Sequence, residues 1–451
     1  ALLLAMAMTM GMSTVAFADE TTSSFDLDTT VTTETHTYEL YQLLTGTYNS
    51  TTQTLGDIKL GSSVDADDYT AAGIAAMFEG KTEAEAQAAA ATLTNLTAAA
   101  SNESGDFSNL VPGYYLIKDV TTSALTTDSI YEPVLFLAPR DTKSTQKVDV
   151  VTVTKKVIDK NDTEGTTSDW QDTADHDLGD VVNFVYTTRV PNNASKYVNP
   201  YQFIFHDTMD AGLTFNNDVA ILVNGSALTS GYSVDTAPTD NHTFDVTIDD
   251  LREKAGALVT VSYTATVNDQ AVIAKKAGDA GNNNKVYLQF SNNPQGSGTG
   301  NTPEDTNIIF TYSVGVNKVD ENEKPLAGAG FTLYKEVKTG GAFKLDGNKM
   351  VADSEGKYIQ VGSELVLNTA DADGKFQGSF DRIDDGKYVL VETTTPAGYN
   401  TAAPIEFTIT ADHTQDPAEL KLTSVSNSAD ETGIISVINE TGALLPSTGG
   451  I

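Results

Sequence analysis

From Val148 onward the chain repeats one pattern: short runs in which apolar residues take every second position, separated by turns rich in Gly, Asn and Asp. A period of two is the mark of a strand with one buried face. Two runs open alike, Val151-x-Val153-x-Lys155 and Val314-x-Val316-x-Lys318, and a Gly-, Pro- and Asn-rich stretch, Asn292–Asp305, breaks the pattern between them. The pattern predicts two β-sandwiches, at about 148–312 and 313–441. Residues 19–147 have a different texture. There Thr37–Thr47 and Tyr114–Val120 are predicted strands, while the Ala-rich segment Asp67–Ala100 is predicted to form one or two helices, with Ile74, Met77, Phe78, Leu93 and Leu96 on a packed face. The expected fold class is mainly β, with tandem immunoglobulin-like sandwiches after a mixed α+β N-terminal domain.

Strand parity places several polar groups on apolar faces. Residues two apart share a side, so Lys318 points with Val314 and Val316. Asn439 likewise points with Ile435 and Val437, and Glu392 with Tyr388 and Leu390. An unpaired buried Lys or Glu costs several kcal/mol (roughly) and is driven toward its neutral form. Three such groups in one core permit an isopeptide bond: the neutral Lys318 amine attacks the Asn439 carboxamide, Glu392 shuttles the proton, and ammonia leaves. The alternative is a plain buried Lys–Glu ion pair. In the other sandwich Lys155 shares a face with Val151 and Val153, Asp207 with Phe203 and Phe205, and Asn284 with Val286, Leu288 and Phe290. Lys156 has the parity of Thr152 and Thr154 and faces out, whereas Asn292 keeps the parity of Asn284 and Asp210 lies close to Asp207, so both remain open.

Composition narrows the function classes. The 451 residues carry 27 Lys+Arg against 62 Asp+Glu, a net charge of −35, which disfavours nucleic acid and anionic membrane as partners. Cysteine is absent, so disulfides, thiol nucleophiles and Cys-based zinc sites are excluded. The five His residues are dispersed along the sequence, and Asp371-Ala372-Asp373-Gly374 lacks the later Glu of a calcium loop, so neither metal nor cofactor is expected. No phosphate loop, nucleophile elbow or dinucleotide fingerprint is present. A lysine site that consumes itself in one turnover is maturation, so the expectation is not an enzyme.

The chain ends add location. Ala1–Met12 is apolar and Ala16-Phe17-Ala18 offers a cleavage site, which predicts a signal peptide over 1–18 without its basic start. Leu445-Pro446-Ser447-Thr448-Gly449, within 442–451, resembles the LPxTG sorting signal of Gram-positive surface proteins, which a sortase cuts between Thr and Gly, here Thr448 and Gly449. No apolar anchor follows it, so the sequence is expected to be truncated at both ends.

Tyr388–Tyr399 (YVLVETTTPAGY) resembles the E-box of Gram-positive pilins, and 313–441 resembles a collagen-adhesin B-type (CnaB) domain, with Lys318, Glu392 and Asn439 on that family's Lys, Glu and Asn positions. Residues 148–312 are similar to the fimbrial D2 domain of backbone pilins, a CnaA-like sandwich, which implies a Lys155–Asn284 bond with Asp207 catalytic. Residues 19–147 resemble the pilin N-terminal domain, which implies an inter-subunit lysine near its end. Lys147 takes that place and Lys143 is second; the usual Tyr-Pro-Lys motif is missing, and at the start of this domain's first predicted strand His36 stands where a bond-forming lysine would. The resemblance implies a backbone pilin on the cell surface, anchored to the cell wall. Its implied partners are a sortase, neighbouring subunits, accessory pilins, peptidoglycan at the fibre base and host surface ligands. The alternatives are an accessory pilin or a wall-anchored adhesin on CnaB stalks.

Overall fold

A computed structural model describes the chain from Thr22 to Gly442, apart from residues 30–33, 83–84, 87–88, 91, 123–132, 146–149, 295, 414–423 and 428–432. The expected signal peptide, Lys147 and the motif Leu445–Gly449 lie outside the described residues. Among the described residues strands dominate, and α-helix occurs only in the N-terminal part.

The N-terminal part is built on two sheets. One orders Thr54–Leu60, Tyr38–Asn49, Gly113–Asp119 and Val134–Ala138; the other orders Phe107–Leu110, Ser23–Asp28 and Lys143–Thr145. Ser23–Asp28 thus precedes the strand that the sequence pattern puts first. Of the one or two helices expected across Asp67–Ala100, the first is short. It runs Ala71–Phe78, capped by Thr70, whose Oγ1 accepts from Gly73 N at 3.0 Å, and helical backbone returns at Glu85–Ala86 and Ala89–Ala90. Gly80, at φ +71°, turns the chain out of the first helix. Farther on, Thr92 closes its hydroxyl onto the Ala89 carbonyl at 2.7 Å and Asn95 adopts φ +54°, so local polar bonds replace helical ones. Ile74, Phe78 and Leu93 still pack on Leu43, Leu44 and Leu116.

In the middle domain the period of two is kept along whole strands. Leu258–Val267 and Asn282–Ser291 alternate buried with partly exposed residues almost without a break. One sheet orders Ser226–Ala227, Ala220–Val223, Leu258–Val267, Val181–Arg189 and Thr154–Val157. The facing sheet orders Thr173–Asp175, Asp305–Phe310, Asn282–Ser291, Phe203–Met209, Phe244–Ile248 and Tyr232–Asp235. The Gly/Pro/Asn-rich stretch is not a linker between domains: it carries Thr299–Asn301 back onto Asn282–Ser291, and Asp305–Phe310 then returns to the same sheet.

Only Thr311 separates Phe310 from Tyr312, where the last domain begins. There Phe376–Ile383, Tyr312–Asp320 and Ile434–Asn439 form a small sheet, with Tyr312–Asp320 and Ile434–Asn439 parallel. The seven-stranded sheet opposite includes Ala329–Glu336 and Gly386–Thr394, and Val314, Val316, Leu333, Leu390, Ile435 and Val437 fill the space between.

These two domains dock closely. Lys335, fully buried, pairs with Asp177 of the middle domain at 2.7 Å and Asp384 of its own at 2.9 Å. Leu178 N donates to Arg382 O at 2.8 Å and Lys338 N to Asp162 O at 2.9 Å. A Cβ on Gly386 (φ +135°) would meet Thr163 Oγ1 at 2.7 Å, which explains glycine at this crossing.

Candidate functional site

The middle-domain core holds Lys155, Asp207 and Asn284, each fully buried. Lys155 sits on the edge strand Thr154–Val157; Asp207 and Asn284 come from adjacent strands of the facing sheet, so the amine reaches across the sandwich. Lys155 Nζ donates to Asp207 Oδ2 at 2.6 Å and also contacts Asn284 Oδ1. Tyr186 and Tyr263 hydroxyls donate to the same Asp207 oxygen at 2.5 and 3.0 Å, and Asn284 Nδ2 donates to Tyr263 Oη at 2.9 Å. Asp207 Oδ1 is buried without a partner. The rings of Phe184, Tyr186 and Tyr263 lie 5.3 to 5.7 Å from Nζ. Burial in this aromatic cage, against the opposing pull of Asp207, lowers the Lys155 ammonium to about 8.

The open alternatives separate spatially. Lys156 turns outward to Asp172. Asp210 accepts from Asn283 N and Nδ2 at 2.7 and 2.8 Å, away from the lysine. Asn292 is buried beside Gly298 and Gly300, and it is Asn284 that meets Lys155.

The C-terminal core brings Lys318, Glu392 and Asn439 into one interior, but with a different contact pattern. Lys318 and Asn439 stand on neighbouring parallel strands, where Lys318 is in register with Val437 and Asn439 lies two residues on. Glu392 faces them from the other sheet. Glu392 Oε2 accepts from Asn439 Nδ2 at 2.9 Å and from Ala402 N at 2.7 Å, and Asn439 Nδ2 also donates to Asn400 O at 2.7 Å. Lys318 Nζ instead donates to Val319 O at 2.6 Å and Val437 O at 3.0 Å. Glu392 Oε1 and Asn439 Oδ1 are buried with no hydrogen-bond partner. Burial lowers the Lys318 ammonium to about 8, with Glu392 opposing.

In the N-terminal domain His36 Nδ1 lies 2.7 Å from Asp119 Oδ2, both side chains buried. Lys143 is exposed on a strand pairing in parallel with Ser23–Asp28. The stretch Asp371–Gly374 is a turn in which Asp371 Oδ1 accepts from Asp373 N and Lys375 N, both at 2.9 Å.

Two groupings escape sequence reasoning. One is the Lys335 junction, where burial pulls the lysine down but Asp384 and Asp177 together hold it above its ordinary value. Beside it, burial pushes Asp384 up to about 6, and burial with the Asp384 charge pushes Asp385 up to about 7. The other joins two of the sequence-dispersed histidines: His206 and His242 meet, together with Asp245 and Asp240. Domain docking assembles the first, and strand register sets His206 across from Asp245 in the second.

Residues 178–294 match the family described as Gram-positive pilin backbone subunit 2, Cna-B-like domain, and residues 312–423 match the SpaA prealbumin-like fold domain. The trypsin-resistant surface T6 protein of Streptococcus pyogenes serotype M6 is 28% identical over 248 residues, 49% of this chain and 40% of that protein. The match therefore spans well under two thirds of that relative. The solved T6 backbone pilin of serotype M6 Streptococcus pyogenes, described as a modular three-domain structure, superposes with TM-score 0.59 at 17% identity, over 95% of this chain and 100% of that one. The full-length major pilin SpaD of Corynebacterium diphtheriae aligns over 95% of this chain and 99% of its own, at 16% identity and TM-score 0.47.

Proposed function

We propose that this chain, whose domains place it with the Gram-positive backbone pilins, is the repeating subunit of a covalent cell-surface pilus, matured by internal Lys–Asn isopeptide bonds and joined head to tail by a sortase. The observation that carries the reading is the buried Lys155–Asp207–Asn284 contact set. A charged pair held in an apolar core has little stability to recommend it, whereas a lysine with lowered proton affinity against a carboxamide is arranged to react.

The chemistry follows from the contacts. A proton passes from Lys155 Nζ to Asp207 Oδ2 along their 2.6 Å hydrogen bond, leaving a neutral amine and a neutral acid. The amine adds to Asn284 Cγ, the acid protonates the departing Nδ2, which Tyr263 Oη already holds at 2.9 Å, and the Asp207 carboxylate so regenerated takes the second proton from the added nitrogen. One N–C bond forms, the Cγ–Nδ2 bond breaks and ammonia leaves; no electrons are transferred to an outside acceptor. In the last domain Lys318 must first leave the Val319 and Val437 carbonyls. The new amide N–H can then donate to the orphaned Glu392 Oε1.

Strand order suits the fibre. Tyr312–Asp320 enters the last domain and Ile434–Asn439 leaves it, side by side and parallel, so a Lys318–Asn439 bond carries tension past residues 319–438. A head-to-tail contact that does not close on itself yields an open fibre. In this reading the sortase cleaves after Thr448 and joins its carbonyl to Lys147, with exposed Lys143 the second acceptor; accessory pilins, peptidoglycan at the base and host surface ligands are the remaining partners. Cell-wall extracts boiled in detergent test this. A ladder of subunit multiples, collapsing to monomer with Thr448→Ala, is expected; a single monomeric species from unaltered cells overturns the backbone role and favours an accessory pilin or adhesin.

A further inference from the structure

The middle domain carries a second polar constellation on the opposite side of the sheet from Asp207. His206, one residue earlier on Phe203–Met209, points outward, and strand pairing sets it directly across from Asp245 on one neighbour and Tyr287 on the other. His242 and Asp240 come from the turn leading into Phe244–Ile248. His206 Nδ1 lies 3.1 Å from His242 Nδ1 and 2.9 Å from Asp245 Oδ1. His242 Nδ1 lies 3.3 Å from Asp245 Oδ1 and 3.0 Å from Asp240 Oδ1. We infer that these four side chains form a binding site for a divalent transition-metal ion of the zinc class.

The distances carry the inference. Zinc bonds nitrogen and oxygen at about 2.0–2.2 Å, so the edges of its ligand tetrahedron are about 3.3 Å. Four of the six separations fall near that edge, and each residue offers one donor atom within 4.8 Å of the others. Without a cation the same packing is awkward. If both neutral rings turn N–H toward Asp245, two N–H dipoles lie 3.1 Å apart. If one ring turns away, its bare Nδ1 faces a carboxylate oxygen. A cation at the centre accepts every lone pair. Two imidazoles among four donors select zinc-class ions over calcium and magnesium, which prefer shells of oxygen. The site is also held firmly: His206 stacks on Tyr287 with ring centroids 4.7 Å apart, and Tyr287 Oη lies 3.4 Å from His242 Nε2. Half-exposed Asp240 forms its open side.

The test is titration of the metal-stripped full chain with zinc chloride, followed by calorimetry and thermal melting. One equivalent is expected to bind, raising the melting temperature because only the folded chain presents the site. His206→Gln and His242→Gln are each expected to weaken binding at least about 10-fold, the scale at which even supporting residues of metal sites act. Asp240→Asn, on the exposed turn, leaves the sheet untouched and is expected to weaken binding as well, so the inference stays testable if a histidine variant misfolds. Absence of saturable zinc uptake by the unaltered chain, uptake unchanged in the variants, or displacement of zinc by equimolar calcium overturns it.

Discussion

Replacing Asp207 by Asn isolates the proton carrier from the rest of the middle-domain site. The side chain keeps its shape and one acceptor oxygen for Tyr186 and Tyr263, but it can no longer take and return the lysine proton. Lys155 and Asn284 should then stay unlinked. Their separation of 129 positions sets the size of the effect. In the chain-entropy treatment of cross-links, a loop of that length stabilises by roughly 5 kcal/mol. For a domain of this size, at about 2–4 °C per kcal/mol, that is a fall in melting temperature of about 10–20 °C. A further loss follows from the stranded amine, which keeps its burial and loses its carboxylate. Lys155→Met separates the two contributions, because it removes the bond without leaving an amine behind. It should melt above Asp207→Asn, and both should melt below the unaltered protein. Intact mass spectrometry is the primary assay: the unaltered middle domain should be lighter by one ammonia than its sequence, and Asp207→Asn should recover that mass. An Asp207→Asn protein that still lacks the ammonia refutes the role of Asp207. An unaltered domain at full sequence mass refutes the bond itself.

In the last domain Glu392→Ala should leave Lys318 and Asn439 unlinked, adding one ammonia to the mass and speeding proteolysis; an unchanged mass makes Glu392 an ordinary core carboxylate. Lys147→Arg should abolish the detergent-resistant ladder while leaving a folded, wall-anchored monomer, and a persisting ladder moves the acceptor, with Lys143 next to substitute. The domain junction should respond to pH. Asp384 and Asp385 bind protons more tightly folded than unfolded, so their contribution is fully present below about 4 and is lost as pH rises through about 6–7. Melting of the full chain should therefore fall by a few degrees between pH 5 and pH 8, and Asp385→Asn should flatten that slope; a melting temperature that climbs over this interval contradicts the assignment.

What the sequence disclosed and what it withheld follow from the range of each physical rule. Strand parity is local, so the faces on which Lys155, Asp207, Lys318 and Asn439 lie can be read from their immediate neighbours, and all four are buried. Parity also rejects Lys156, whose ammonium turns to Asp172 instead. Parity says nothing about which strands are adjacent, and Asn284 and Asn292 are equal by that rule; only the packing of Asn282–Ser291 against Phe203–Met209 sets Asn284 beside the lysine. The Lys335 cluster fails for a related reason. Ala329–Glu336 is buried on nearly every residue, because Phe343, Leu345 and Met350 of the same domain pack over Tyr334 on the face that alternation would assign to water. Lys335 keeps the parity of Phe331 and Leu333, but its partners Asp177 and Asp384 lie in turns of two different domains, which parity does not join. The shortness of the helix Ala71–Phe78 has the opposite origin: alanine favours helix locally, but Gly80 turns the chain out of it. Residues that act on their neighbours are thus legible from one strand, and residues that act across strands or domains require register. The His206–His242–Asp245 grouping belongs to the second kind, since its members are brought together only by the pairing of Phe203–Met209 with Phe244–Ile248.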